Sequence, residues 1–424
     1  MQAKQPKISQ KLVMRSAIGL IGLAILIFAF NYFRSIETDL NGNATVDSAG
    51  MIAALQSVGD VNHVVVIKPD GTLIQQPGIE EKSDDRDVVW RPDGNAVFFA
   101  SDRSKDRFTM FRWRPDPSAK PEQRSVGSRA QGAPDFLTGD AGLGANAHAL
   151  LIMGGKVMDY DPKKPSLFQV LPPVDPKNRV EISGEEEGGG STSAFEGVYA
   201  NLGSSFRRAK WLPDKSAAVA VMRRDSGEVL IYQKLNTSDP VEGRPKAIVA
   251  GDRVDFDVDE RTGLVYYAVT NFQWVRAEDA PPEFHKGNRL TTPFKHAIGR
   301  FDVTGKSSGI VTASKDDTAA FNEIRVDPQG KFLLVTYGPY LGDRNFGPGG
   351  LSLVPLEGAP EPSLLAKGDV HEPSWSPTGD KVLFALRESE TSRPIMEVSR
   401  TGGPPVRKSP AGVFSYPQYS PQTK

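Results

Sequence analysis

The segment Trp90-Arg91-Pro92-Asp93-Gly94, followed by an apolar run and then Ser101-Asp102-Arg103, recurs near the other end of the chain. There it reads Trp375-Ser376-Pro377-Thr378-Gly379 followed by Val382-Leu383-Phe384. Each copy is a strand, a Pro-X-Gly tight turn and a second strand, and such a unit cannot bury its apolar face alone. The chain is therefore held to a stacked or closed repeat architecture. Aligning on the large apolar residue two before the turn proline gives Trp90, Trp211, Val326, Trp375 and Tyr419, with Phe136 and Phe256 as degenerate copies. With insertions set aside, the copies recur at about 45 residues, the length of a four-stranded propeller blade. The 41 glycines and 33 prolines suit an all-β chain with many turns.

The chain finishes on what reads as a blade's first strand, Gln418-Tyr419-Ser420, and a blade's last two strands occupy Val61 to Gln76. If the two pieces share one sheet, the ring closes and no free sheet edge is left at the seam. The predicted fold is all-β, a seven-bladed β-propeller over residues 61–424, preceded by one N-terminal transmembrane helix. Six blades is the alternative count, because the Phe136 copy lacks a turn proline.

Ser16 to Phe33 is nearly all apolar, with no charge between Arg15 and Arg34. That is long enough to span a bilayer, and Phe30, Tyr32 and Phe33 suit its interface. Lys4, Lys7, Lys11 and Arg15 precede it, so the positive-inside bias keeps the N-terminus cytoplasmic. Bulky residues fill Phe28 to Phe33, where a cleaved signal peptide carries small ones. The reading is a basic tail at 1–15, a signal anchor at 16–33 contacting lipid through Ala17 to Phe33, a linker at 34–60, and a propeller in the periplasm of a bacterial inner membrane.

Trp375 to Ala385 (Trp-Ser-Pro-Thr-Gly-Asp-Lys-Val-Leu-Phe-Ala), with Trp-Arg-Pro-Asp-Gly and Ser-Asp-Arg near Trp90, resembles the WD40-like blade of TolB-type propellers. The resemblance covers roughly Val61 to the C-terminus and implies the propeller fold. It implies little about activity, since similar blades occur in prolyl oligopeptidases and some carbohydrate lyases. The family's namesake has a small α/β domain ahead of its propeller, for which Asn31 to Asp60 leaves no room.

Three insertions interrupt the repeat, at residues 179–205, 272–300 and 338–350, and strand alternation sends all three to one face. Long loops on a rigid scaffold are where function concentrates. Residues 272–300 carry Phe272, Trp274, Phe284 and Phe294; residues 338–350, with the adjoining Tyr337, add Tyr340, Arg344 and Phe346. Aromatic and arginine side chains of this kind are enriched at interface cores. These eight residues form the candidate binding face, and its expected partners are other membrane or periplasmic proteins.

The chain has no cysteine, which removes disulfides, thiolate metal sites and cysteine nucleophiles. No G-X-S-X-G elbow, metal-ligating histidine spacing or phosphate-cradling glycine loop occurs. His285 and His296 read as solvated residues of one loop. Asp255, Asp257 and Asp259 alternate along a candidate strand and read as a solvated face and turn in preference to a calcium site. No cofactor, metal or catalytic residue is expected, and a formal charge of -1 argues against nucleic acid. The reading is a non-enzymatic docking or scaffold subunit, with a membrane-tethered enzyme or ligand sensor, glycan- or metal-dependent, as the alternative.

Overall fold

The computed structural model describes residues 47–77, 83–103, 107–124, 131–132, 135–136, 149–161, 166–173, 181–183, 199, 202–235, 237, 239, 242–304, 308–357 and 362–421. The apolar segment at 16–33 and most of the insertion at 179–205 lie outside them. Among the described residues no helix is long and apolar enough to cross a membrane. Regular structure is β, apart from short helical turns such as Ala277–Asp279.

The strands pair antiparallel in chain order. A first unit contains Asp85–Trp90, Val97–Ser101, Thr109–Trp113 and Glu122–Gln123, and a second contains Asp135–Phe136, Ala149–Met153, Lys156–Asp161 and Ser166–Leu171. Glu181–Ser183, expected to be loop, adds a fifth strand to the second unit by pairing with residues 166–168. The third unit is Ser205–Trp211, Ala217–Arg224, Gly227–Lys234 and the first part of the long strand Lys246–Val258. That strand then pairs with Val265–Gln273 and becomes the innermost strand of the fourth unit, which continues through His296–Phe301 and Gly309–Ser314. Ser363–Trp375 joins the fifth unit (Ala320–Val326, Phe332–Gly338, Gly349–Pro355) to the sixth (Lys381–Arg387, Ile395–Ser399, Val406–Arg407) in the same way.

The remaining sheet is composite. Val413–Tyr419 pairs with Ile52–Val58, which carries Val61–Ile67 and Leu73–Gln75 outward from it. Ile52 lies opposite Tyr419, and Ser48 Oγ reaches Ser420 Oγ at 2.6 Å. The N-terminal part therefore supplies three strands from Ile52 where two from Val61 were expected, and the presumed linker at 34–60 is strand over Ile52–Val58.

Burial follows this order. Among the described residues, seven apolar clusters lie between consecutive units. One joins Phe98 and Met110 of the first unit to Leu151 and Tyr160 of the second. Another joins Leu383 and Ile395 of the sixth to Ile52, Val65 and Phe414 of the composite one. A third packs Ala53, Leu55 and Val64 of the composite sheet on Trp90, Phe99 and Trp113 of the first. The repeat tryptophans are part of this packing. Trp90 Nε1 donates to Gln418 O at 3.0 Å and Trp375 Nε1 to Arg325 O at 3.3 Å, each tying one innermost strand to its predecessor. Gly94 and Gly379, at φ of 70° and 71°, close the tight turns in a conformation that costs other residues strain.

Turn geometry moves one alignment. Asp259 N bonds Leu264 O as Arg91 N bonds Ala96 O, so the fourth unit's counterpart of Trp90 is Val258, not Phe256. Counted from that position, the residue three earlier is Asp87, Arg208, Asp255, Glu323, Glu372 and Tyr416 in six units. The innermost strands are laced by carboxylates that accept backbone N–H groups of the next strand. Asp255 accepts Ile324 N at 3.1 Å, Asp257 accepts Val326 N at 2.9 Å, Glu323 accepts Glu372 N at 2.7 Å and Glu372 accepts Tyr416 N at 2.8 Å.

Candidate functional site

Two of the insertions fold as hairpins that leave their units after the second strand, at the end opposite the Pro-X-Gly turns. The first follows Val265–Gln273 and ends before His296, so it is narrower than residues 272–300; it pairs His285–Lys286 with Arg289–Leu290. Its aromatic residues contact one another. Phe272 meets Trp274 and Phe294 edge-on at 5.2 and 4.9 Å between centroids, and Trp274 meets Phe284 at 5.6 Å. Trp274 Nε1 donates to Thr291 O at 2.9 Å, while Phe272 and Phe294 pack on the apolar cluster between the third and fourth units. These rings are half-buried, and among the large apolar side chains of the hairpin only Leu290 is exposed.

The second hairpin pairs Tyr340–Gly342 with Asn345–Phe346. Glycine is required at its root, since a Cβ on Gly338 would lie 2.2 Å from Gly347 O. It leans across the fourth unit onto Asp252. There Tyr340 Oη donates to Asp252 Oδ2 at 2.7 Å, and Asn271 Nδ2 and Gln273 Nε2 fill the remaining lone pairs at 2.8 and 2.7 Å. Arg344 donates to Asp252 O at 3.2 Å and to Gly227 O at 3.4 Å, reaching the third unit. Burial, then the hydrogen bond to Asp252, pushes the Tyr340 phenol up to about 12. Tyr340 also packs on Phe346 at 5.5 Å and on His296 at 6.0 Å. Tyr337 stands in its strand opposite Phe321 and joins neither aromatic group. The eight sequence-derived residues thus fall into two aromatic groups and one strand residue. Asp252, Asn271 and Gln273, which hold the second hairpin, carried no signal beyond their place on strands.

His296 is not a solvated loop residue. It is buried in His296–Phe301, where Nδ1 accepts Asn271 N at 3.1 Å and Nε2 faces Asp317 Oδ1 at 3.2 Å. Burial holds its pKa below the ordinary imidazole range, so it is neutral at pH 7 and Nε2 carries the proton. His285 Nε2 lies 2.9 Å from Ala280 O. Asp255, Asp257 and Asp259 are buried, not solvated, because a cation meets each one. Asp255 lies 2.8 Å from Arg208 and 2.7 Å from Arg325, Asp257 lies 2.9 Å from Lys210, and Asp259 lies 3.4 Å from Arg261. Burial opposes ionisation of Asp255, but Arg208 and Arg325 overcome it and hold the carboxyl well below the usual range. Among the described residues no group of three or more His, Asp or Glu side chains is placed to hold a metal ion.

The opposite wall differs. Asp87, Glu372 and Tyr416 share the repeat position of Arg208 and Asp255, and all three adopt left-handed backbone, with φ of 54°, 53° and 52°. Each lies at a bulge in its innermost strand. Burial, then the charge of Glu323, pushes the Glu372 carboxyl up to about 7 against the opposing pull of Arg393. Asp87 is raised as well, by the protein crowded around it, although water reaches it along the axis.

No protein-family model matches the sequence, and no curated protein sequence matches it. Among solved structures, TolB from Acinetobacter baumannii is similar with a TM-score of 0.47 at 11% identity, over 89% of this chain and 68% of that one. An oligogalacturonate lyase in complex with manganese gives 0.49 at 10% identity, over 85% and 86%. Puromycin hydrolase gives 0.50 at 12% identity over 86% of this chain, which spans about half (53%) of that one. At such identities the likeness is one of fold: the chain is a β-propeller protein. Enzymes stand among these neighbours, so the fold leaves activity open.

Proposed function

We propose that this chain is a seven-bladed propeller, held at a bacterial inner membrane by residues 16–33, that docks another envelope protein on the face carrying its two hairpins. The seven apolar clusters in cyclic order support the blade count. The observation that carries the docking role is the anchoring of the second hairpin. Tyr340, Asn271 and Gln273 converge on Asp252, and Arg344 spans from the fifth unit to the third. A loop fixed in this way presents its exposed tip, Leu341 at 68% exposure, at little entropic cost on binding. The periplasmic setting rests on the apolar run and on the basic residues before it.

The test replaces residues 276–291 with a Gly-Ser linker, leaving the flanking strands intact, and separately makes Leu341→Asp. Gently solubilised native membranes should yield a defined partner with the wild-type chain, lost in both variants while their melting midpoints hold. Undiminished co-purification would overturn the docking role.

A further inference from the structure

The inner wall of the third, fourth and fifth units carries more cations than its carboxylates can pair. Arg207 Nε lies 2.9 Å from Glu228, which also accepts Val254 N at 2.9 Å. Arg208 and Arg325 share Asp255, and Lys210 takes Asp257. Arg253 is left over. Among the described residues its side chain makes no hydrogen bond or ion pair, and its Nε is buried without an acceptor. Its neighbour Asp252 does not serve it, because that carboxylate is filled by Tyr340, Asn271 and Gln273 and successive strand residues point to opposite sides. Glu323 is engaged with the backbone of Glu372.

Arg253 also stands among like charges. After burial itself, its charge is the largest influence holding the Arg207 guanidinium below its ordinary range. A half-buried guanidinium without an ion pair of its own, sharing the field of Asp255 but set against other arginines, is an unfavourable arrangement that an incoming anion relieves. Its side chain shares the strand side of Asp255 and Asp257, two and four residues on, and lies at the hairpin-bearing end of this innermost strand.

We propose that the mouth of the ring beside Arg253 is a binding site for an oxyanion group, carboxylate or phosphate. Arg253 makes the direct, forked contact, and Arg207 and Arg208 supply the surrounding positive field. This site lies on the same face as the hairpins, but its test does not depend on the docking role.

The experiment follows binding to the full chain in detergent micelles at pH 7 by calorimetry and thermal melting. Inorganic phosphate and citrate are titrated at ionic strength held constant with sodium chloride. Saturable binding of at least one probe is expected, with affinity about tenfold weaker in Arg253→Gln, the loss of one charged contact. Response to phosphate alone assigns a phosphate group, and response to citrate alone a carboxylate. The unliganded midpoint of Arg253→Gln should hold or rise, since no partner is lost. Absence of saturable binding, or equal affinity in the variant and so an adventitious ion only, overturns the proposal. Should Arg253→Gln not fold, Arg253→Lys replaces it under the same criterion, because an ammonium keeps the charge and loses the fork.

Discussion

The inner wall of the ring has two sides that begin from one repeat position and end with opposite electrostatics. On the side of the third to fifth units, Asp255 at that position is clamped by Arg208 and Arg325 and stays ionised far into acid. On the side of the sixth, composite and first units, burial of Glu372, with Glu323 adding a like charge, outweighs Arg393 at 3.4 Å and raises its carboxyl to about 7. The backbone differs in step. Asp255 lies on regular strand, whereas Glu372, Tyr416 and Asp87 occupy left-handed bulges. A repeat position therefore fixes where a side chain sits, and the neighbouring strands decide what it does chemically.

The largest expected break in this contrast is Asp255→Asn. It leaves two half-buried guanidinium groups without their shared anion and should cost about 3 to 5 kcal/mol in urea unfolding. A loss under 1 kcal/mol would show that the clamp is solvated in practice.

Glu372 should act in the other direction. Its folded pKa is raised to about 7 from an unfolded value near 4.5, so its protonated form favours the fold. That stability is fully present below about 4.5 and is lost as pH rises through 7, a swing on the order of 3 kcal/mol. Unfolding free energies at pH 5 to 8 should fall in the wild type and flatten in Glu372→Gln. Parallel slopes in the two proteins would assign the titration elsewhere.

A smaller effect is expected within the second side, between the sixth unit and the composite one. Ser374 Oγ donates to Pro417 O at 2.6 Å, and Ser374→Ala should cost about 1 kcal/mol by the same unfolding assay. Asp87→Asn, at the position equivalent to Asp255 but with no side-chain hydrogen bond or ion pair among the described residues, should cost nothing measurable. A loss comparable with that of Asp255→Asn would erase the distinction between the two walls.

Much of the fold is legible in the sequence, because Trp-X-Pro-X-Gly at Trp90 and Trp375, with weaker copies at Trp211, Val326 and Tyr419, writes inner hairpins in short segments. The pairing of Tyr419 with the N-terminal sheet also followed, from complementary fragments of one blade. Ile52–Val58 was missed since Ile-Ala-Ala-Leu-Gln-Ser-Val neither alternates nor precedes a turn proline. Phe256 is the aromatic position before the lengthened turn, but the turn hydrogen bonds place Val258 at the position equivalent to Trp90. Burial of Asp255 and Asp257 was invisible: their cations come from Ser205–Trp211 and Ala320–Val326, strands remote in sequence. The aromatic content of the hairpins was plain, but their anchor was not. Tyr340 meets Asp252 across 88 residues, and neither residue type announces such a pairing.

The closing strand also sets how the ring responds to tension. Because Ile52 is registered opposite Tyr419 in an antiparallel pair, the first strand enters and the last strand leaves the shared sheet at the same end. A pull on that end loads their hydrogen bonds one after another, as a zip opens, instead of shearing them all together. The lateral contacts of Ser48 with Ser420 and of Met51 O with Ser420 N stand at the point where opening begins. A ring latched in this way is held by the apolar clusters between its units and yields to force at one place, beside the first and last described strands.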